Sequence, residues 1–119
     1  MGIRFLKQDE LPRSNFSREL VGEDFGGVPA CVIFVDAEPG RGPSLHKHPY
    51  AELFFVLEGE ATFSDGAVER VVGPGEVVIA PPEEPHAFVN SGNGRLRQID
   101  VHLNGRFMTE WLERPDGAV

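Results

Sequence analysis

Between residues 31 and 103 the chain is cut into short apolar runs by turn sequences, and that cadence restricts the fold more than any other feature. The runs are CVIFVD (31–36), ELFFVLEG (52–59), EATFSD (60–65), AVERVV (67–72), EVVIAP (76–81), HAFVN (86–90) and RLRQIDVHL (95–103). Between them stand EPGRGP, SDG, GPG, PPEEP and NSGNG, whose glycines, prolines and asparagines accept the backbone angles of tight turns. The 14 glycines and 10 prolines are spread along the chain, so they punctuate structure and do not mark disorder. Short strands at intervals of about 8–12 residues predict an all-β sandwich or barrel. Glu58-Gly59 and Asp65-Gly66 read as hairpin corners, while RELVG (18–22) and GVPA (27–30) supply further strands.

One helix is expected. In GRFMTEWLER, Phe107, Trp111 and Leu112 fall on one helical stripe, with Trp111 as a packing anchor. At 119 residues the chain is a single domain. It divides into an N-terminal arm with strands (1–29), a barrel (30–103), a helix (105–113) and a tail (114–119).

Composition narrows the function classes. A formal net charge of −8 opposes binding to a phosphate backbone, so no nucleic acid partner is expected. No apolar run approaches the roughly 18 residues of a membrane span, and MGIRFLKQDELPRS shows neither a signal peptide nor a lipidation signal. The single cysteine, Cys31, forms no intrachain disulfide and suits a buried apolar strand. A cytoplasmic location follows as the expectation.

The chemistry is concentrated in GRGPSLHKHPYAELFFVLEG, residues 40–59. Side chains alternate along a strand, so His46, His48 and Glu52 share a face with Phe54 and Val56 if the register survives Pro49. Imidazole nitrogens and a carboxylate oxygen converging from one strand suit a divalent first-row metal. A third histidine, His86, opens the strand HAFVN after three intervening strand-like runs, enough chain to return beside the first. In the last run, Gln98, Asp100 and His102 alternate with Ile99, Val101 and Leu103. Two readings stay open for that polar face. Either it lines a cavity, where Asp100 orients a substrate or an imidazole, or it is a solvated outer face. Tyr50 stands between His48 and Glu52 and is expected to pack or cap the barrel rim, and Lys47, on the opposite parity, to be solvated. Arg41, Arg95 and Arg97 could draw an anionic substrate to the mouth, with Glu83 and Glu84 at the entrance.

These residues resemble the two motifs of the cupin superfamily. Gly40, His46, His48, Glu52 and Gly59 match the first motif at every position, and Gly75, Pro81, His86 and Asn90 match the second. Glu83 stands where the second motif usually has a glycine. The resemblance implies a jelly-roll β-barrel (double-stranded β-helix), with His46, His48, Glu52 and His86 as ligands of one divalent transition metal, Fe, Mn, Zn, Ni or Cu. It implies a turn or strand-end role for Asn90. Phe54, Val56, Phe88, Gln98, Asp100 and His102 are the expected pocket lining.

Function is bounded less tightly. One reading is an enzyme that chelates a small oxygenated substrate on the metal, either a dioxygenase or a redox-neutral isomerase or decarboxylase, with Glu52 as a candidate base. Another is a non-catalytic module that binds or senses a small ligand, and a third is a barrel that keeps its metal for stability. A homodimer is the expected assembly, since twofold dimers are the commonest oligomer.

Overall fold

The computed structural model describes residues 2–113. It is almost entirely antiparallel β-structure. The strands are β1 (Arg13–Ser14), β2 (Ser17–Val21), β3 (Cys31–Ala37), β4 (His46–Lys47), β5 (Glu52–Glu58), β6 (Ala61–Ser64), β7 (Glu69–Val72), β8 (Val77–Ala80), β9 (Ala87–Asn90), β10 (Leu96–His102) and β11 (Glu110–Trp111). Six of them form one sheet in the order β1-β2-β3-β10-β5-β8, three form a second in the order β7-β6-β9, and β4 pairs with β11. The chain crosses between the sheets repeatedly, which closes them into a barrel.

Period-2 alternation decides what faces inward. On β5 the buried residues are Glu52, Phe54 and Val56, and on β10 they are Leu96, Gln98, Asp100 and His102. The inward residues of the two sheets meet in a core of Val35, Ala37, Phe54, Val56, Ala61, Phe63, Val72, Ala80, Phe88 and Leu96. Phe54 meets Phe63 edge-on at 5.0 Å, and Phe63 stacks on Phe88 at 5.3 Å. Such pairs contribute about 0.5–1.5 kcal/mol beyond area burial.

Two turn positions need their backbone geometry. Gly59 has φ 87°, and a Cβ there would run into the Arg95 carbonyl oxygen. Glu83 has φ 67° without being glycine. Its backbone N–H donates to the His48 carbonyl at 2.7 Å, which ties that left-handed turn to the histidine segment.

The C-terminal helix is not formed. Glu110 and Trp111 instead pair with Lys47 and His46 as β11, and the only helical turns among the described residues are 3-10, at Gln8–Glu10 and Gly22–Phe25. The reason is competition. A segment of nine residues is too short to hold a helix by itself, and β4 offers it an open backbone edge. The Leu112 and Glu113 N–H groups also reach the Leu45 carbonyl, at 3.0 and 3.1 Å. The expected tail, 114–119, lies outside the described residues.

Candidate metal centre

His46 and His86 sit opposite each other in an antiparallel bridge. Their backbones exchange two hydrogen bonds, His46 N–H to the His86 carbonyl at 3.0 Å and His86 N–H to the His46 carbonyl at 2.8 Å. That reciprocal pair brings the second histidine segment to the first. Pro49 and Tyr50 form a bend after His48, and β5 then begins with Glu52 pointing inward. All four side chains are buried. One ligand atom from each of His46, His48, Glu52 and His86 lies within 4.8 Å of the others.

Hydrogen bonding distinguishes the four histidines. The Nδ1 of His46 is 2.6 Å from the Ser44 carbonyl, that of His48 is 2.9 Å from the Met108 carbonyl, and that of His86 is 2.9 Å from the Glu84 carbonyl. A carbonyl only accepts, so each of these Nδ1 atoms carries a hydrogen. In the neutral ring each Nε2 is then a lone pair, and in His48 and His86 it is the Nε2 side that turns toward Glu52. His86 Nε2 and His48 Nε2 both lie 3.1 Å from Glu52 Oε1. The His48 contact has no hydrogen-bond geometry, which leaves that buried nitrogen without a partner.

His102 is oriented the other way. Its Nε2 is 3.0 Å from Glu52 Oε2 and its Nδ1 is 2.8 Å from the Tyr50 hydroxyl. An ionised carboxylate only accepts, so His102 Nε2–H donates to Glu52, and Tyr50 O–H donates to Nδ1. The Tyr50 oxygen in turn accepts the Met108 N–H at 3.2 Å. Three imidazoles therefore present lone pairs to one point, and the fourth fixes the carboxylate beside it.

Burial and neighbouring charge act differently on these groups. Burial lowers the His46 imidazole to about 4, with the Ser44 carbonyl opposing and His86 and His48 adding to the shift. Burial opposes charge on His86 too, but Glu52 and the Glu84 carbonyl outweigh it and raise its pKa. Burial works to raise Glu52, yet the imidazoles of His102, His48 and His86 hold it well below the usual carboxylate range. Burial pushes the Tyr50 phenol up to about 12, so it keeps its proton.

Lone pairs and a carboxylate oxygen crowded together with one orphaned nitrogen repel each other unless a cation sits among them. Neutral imidazole nitrogens and one carboxylate oxygen are a donor set that divalent Fe, Mn, Ni, Cu and Zn all accept. The residues fit a metal ion, and each imidazole already has the outer hydrogen bond that orients a ligand.

A cavity of about 610 Å³ opens above the cluster. Phe54, Phe88, Asp100 and His102 line it, while Val56 and Gln98 are buried outside its lining. Asp100 accepts the Gln98 amide at 2.7 Å, and among the described residues no hydrogen bond joins it to an imidazole. Burial and the nearby Glu52 charge raise its pKa well above the usual range, opposed by the Gln98 amide. Arg41 lines the cavity with its guanidinium over Phe16, 5.7 Å from the ring centroid. Arg95 is engaged elsewhere, with Asp36 at 2.6 Å. Lys47 pairs with Glu83 at 3.2 Å, and the carbonyl of Glu84 holds His86. Asn90 ties strand ends, donating to the Ala37 and Gly94 carbonyls at 2.9 and 2.8 Å.

Three aromatic residues stand closer to the cluster than their sequence positions led one to expect. Tyr50 stacks on His48 at 5.0 Å, Phe107 meets His102 edge-on at 5.0 Å, and Trp111 lies 5.0 Å from His46. Phe107 and Trp111 also line the cavity, and so do not anchor a helix. For Tyr50 the usable signal was its parity, two residues after His48 and two before Glu52. For the other two there was none.

Comparison with known proteins agrees with this geometry. A stretch of 59 residues, 49% of this chain, is 46% identical to dimethylsulfoniopropionate lyase DddQ of Ruegeria pomeroyi and covers 28% of that protein. A stretch of 64 residues is 33% identical to an oxalate-binding protein of Thermotoga maritima, covering 53% of each chain. The chain thus spans only part of the length of these curated relatives. In fold, it superposes with a TM-score of 0.74 on an uncharacterized conserved protein with a double-stranded β-helix domain from Klebsiella pneumoniae, at 22% identity over 95% of this chain and all of the other. Residues 33–102, which hold all four clustered side chains and the strands that carry them, match the cupin domain model, and the chain belongs to that family.

Proposed function

We propose that the protein is a metal-dependent enzyme acting on a small carboxylate-bearing substrate by redox-neutral chemistry. The observation that carries this reading is the orientation of three Nε2 lone pairs and Glu52 Oε1 toward one point beneath the cavity. His46, His48, Glu52 and His86 would hold a divalent ion, and such an ion supplies a Lewis-acid centre that binds and polarises substrate oxygens.

The chain's own residues supply the rest. Glu52 is an anchored anion: Oε2 already accepts His102 Nε2–H, so the carboxylate serves better as a fixed ligand than as a mobile base. Tyr50 holds the tautomer of His102 through its hydroxyl. Arg41 provides a cation at the cavity wall for a carboxylate end, and Phe16, Ile33, Val35, Phe54 and Phe88 form apolar walls that keep the substrate small. The relatives include a lyase and an oxalate-binding protein, both named for small organic acids.

Elemental analysis of protein purified without added metal should return about one divalent ion per chain. Dicarboxylates, 2-keto acids and 3-substituted propionates would then be followed by NMR, with an oxygen electrode alongside. Product formation without oxygen uptake, lost in His48→Ala, is the expected outcome. Oxygen uptake coupled to turnover would move the assignment to a dioxygenase. Saturable oxalate binding with no product from any acid would favour the second reading, a ligand-holding module, to which the oxalate-binding relative lends support.

A further inference from the structure

Resting on the reading of a small carboxylate-bearing substrate, we propose that Glu19 selects that substrate by charge. With Arg41 it fits the cavity to a small acid that carries a protonated amine at its far end. Among the described residues, three carboxyl groups line the cavity, those of Glu19, Glu52 and Asp100. Two of them have partners. Glu52 is held among the imidazoles of His48, His86 and His102, and Asp100 accepts the Gln98 amide. No hydrogen bond or ion pair from the described residues reaches the Glu19 carboxylate.

The strand register sets the direction of this side chain. Ser17, Glu19 and Val21 share one face of β2, and Arg18 and Leu20 the other. Glu19 pairs with Ile33, Ile33 with Asp100, and Asp100 with Phe54, one inward row across β2, β3, β10 and β5. The adjoining row is Val21, Cys31, His102 and Glu52. Glu19 therefore stands one row, about 7 Å along the strands, from the row that carries Glu52. Its neighbours on that wall, Phe16, Ile33 and Val35, are apolar. A half-buried carboxylate there loses hydration and gains no donor in return. Burial accordingly raises its pKa, with the His102 imidazole opposing.

Arg41 brings the opposite charge to the same cavity, and the two do not meet. Among the described residues no ion pair joins them, and the guanidinium lies over the Phe16 ring instead. The cavity thus presents a cation and an anion that leave each other unneutralised. A ligand satisfies both when its own charges are separated in the same way, a carboxylate toward Arg41 and an ammonium toward Glu19. The ammonium supplies charge-assisted hydrogen bonds in place of lost water. A dicarboxylate would set like charge against Glu19, and a simple aliphatic acid would leave it desolvated and unpaired.

β-Alanine, butyrate and succinate share a propionate frame and end in an ammonium, a methyl group and a carboxylate. Isothermal titration calorimetry of the protein as purified, at neutral pH, should rank them in that order. β-Alanine should bind at least about 10-fold more tightly than butyrate, the scale of one charge-assisted hydrogen bond. Glu19→Gln keeps the shape and removes the charge, so the two should then bind within about threefold of each other. Glu19→Asp should preserve the ranking. Because the ranking is measured on the unmodified protein, it does not depend on how either variant folds. Succinate binding as tightly as β-alanine would overturn the proposal, as would an unchanged β-alanine preference in folded Glu19→Gln. Failure of β-alanine to bind would do the same, whatever ion the protein holds. The expected ranking in a protein that holds no ion would instead remove the metal reading and leave the role of Glu19 standing.

Discussion

One strand, β5, serves both ends of the barrel interior, and the two ends work on different physics. Glu52 begins the inward face among the histidines, and Phe54 and Val56 continue it into the core. At the apolar end the requirement is volume, met by Phe54, Phe63, Phe88 and Leu96 in contact. At the polar end every buried side chain needs a partner for each polar atom, and for His46, His48 and His86 the chain draws one from outside the barrel strands. The carbonyls of Ser44, Glu84 and Met108 each fix one imidazole. The stability of the fold should therefore reside at one end and its chemistry at the other.

The largest effect expected from breaking this division is on stability. Phe54→Ala should cost the metal-free protein about 3–5 kcal/mol, since it opens a cavity beneath two stacked rings. Urea denaturation measures it, and a loss under 1 kcal/mol would erase the contrast between the ends. His48→Ala should act in reverse, weakening metal affinity more than about 100-fold, beyond the range of outer-sphere changes. The midpoint of metal-free unfolding should stay within a few degrees of the unmodified protein.

His102 sharpens the comparison because it belongs to the polar end without being a ligand. His102→Phe should weaken metal binding by about 10–100-fold, and His102→Gln, whose amide still donates to Glu52, should recover most of it. The number of nitrogen ligands seen by pulsed EPR with Mn²⁺ should be unchanged in both. A lost nitrogen would make His102 a ligand instead.

The smallest effect concerns Asp100. Its folded-state pKa is raised, by burial first and then by Glu52. Below the unfolded pKa both states are protonated and nothing is lost. Above it the unfolded chain ionises while the folded one stays neutral, so stability falls as pH rises toward the folded pKa, by at most about 1.4 kcal/mol per unit. Asp100→Asn should remove that slope, and its advantage over the unmodified protein should grow from pH 4 upward. Parallel stability profiles would show instead that the folded carboxyl ionises at its ordinary pH.

Much of the barrel was readable in advance because its signals are local. Six of the longer strands fall within the apolar runs marked by turn residues, a seventh, β3, runs one residue past its own, and Gly59 and Asp65-Gly66 sit at the expected corners. The cluster was readable for a related reason: His46, His48 and Glu52 are close in sequence, and His86 begins a strand that has to pair somewhere. The segment after Gly105 was not readable. Its apolar spacing fits a helix stripe, and nothing nearby in sequence shows that β4 will offer an edge some 60 residues upstream. Tyr50 shares the parity of His48 and Glu52, but its partners, His102 and Met108, lie 52 and 58 residues downstream.

Chemical type and periodicity, both properties of neighbouring residues, were enough to specify an antiparallel barrel and the four side chains that gather within it. Which ring nitrogen each histidine turns inward was settled only by tertiary structure. That choice depends on carbonyls and hydroxyls from Ser44, Tyr50, Glu84 and Met108, and two of the four imidazoles, His48 and His102, meet theirs only across long stretches of chain. A hydrogen bond is directional and short, so a histidine's role becomes definite only when its second nitrogen has met its partner.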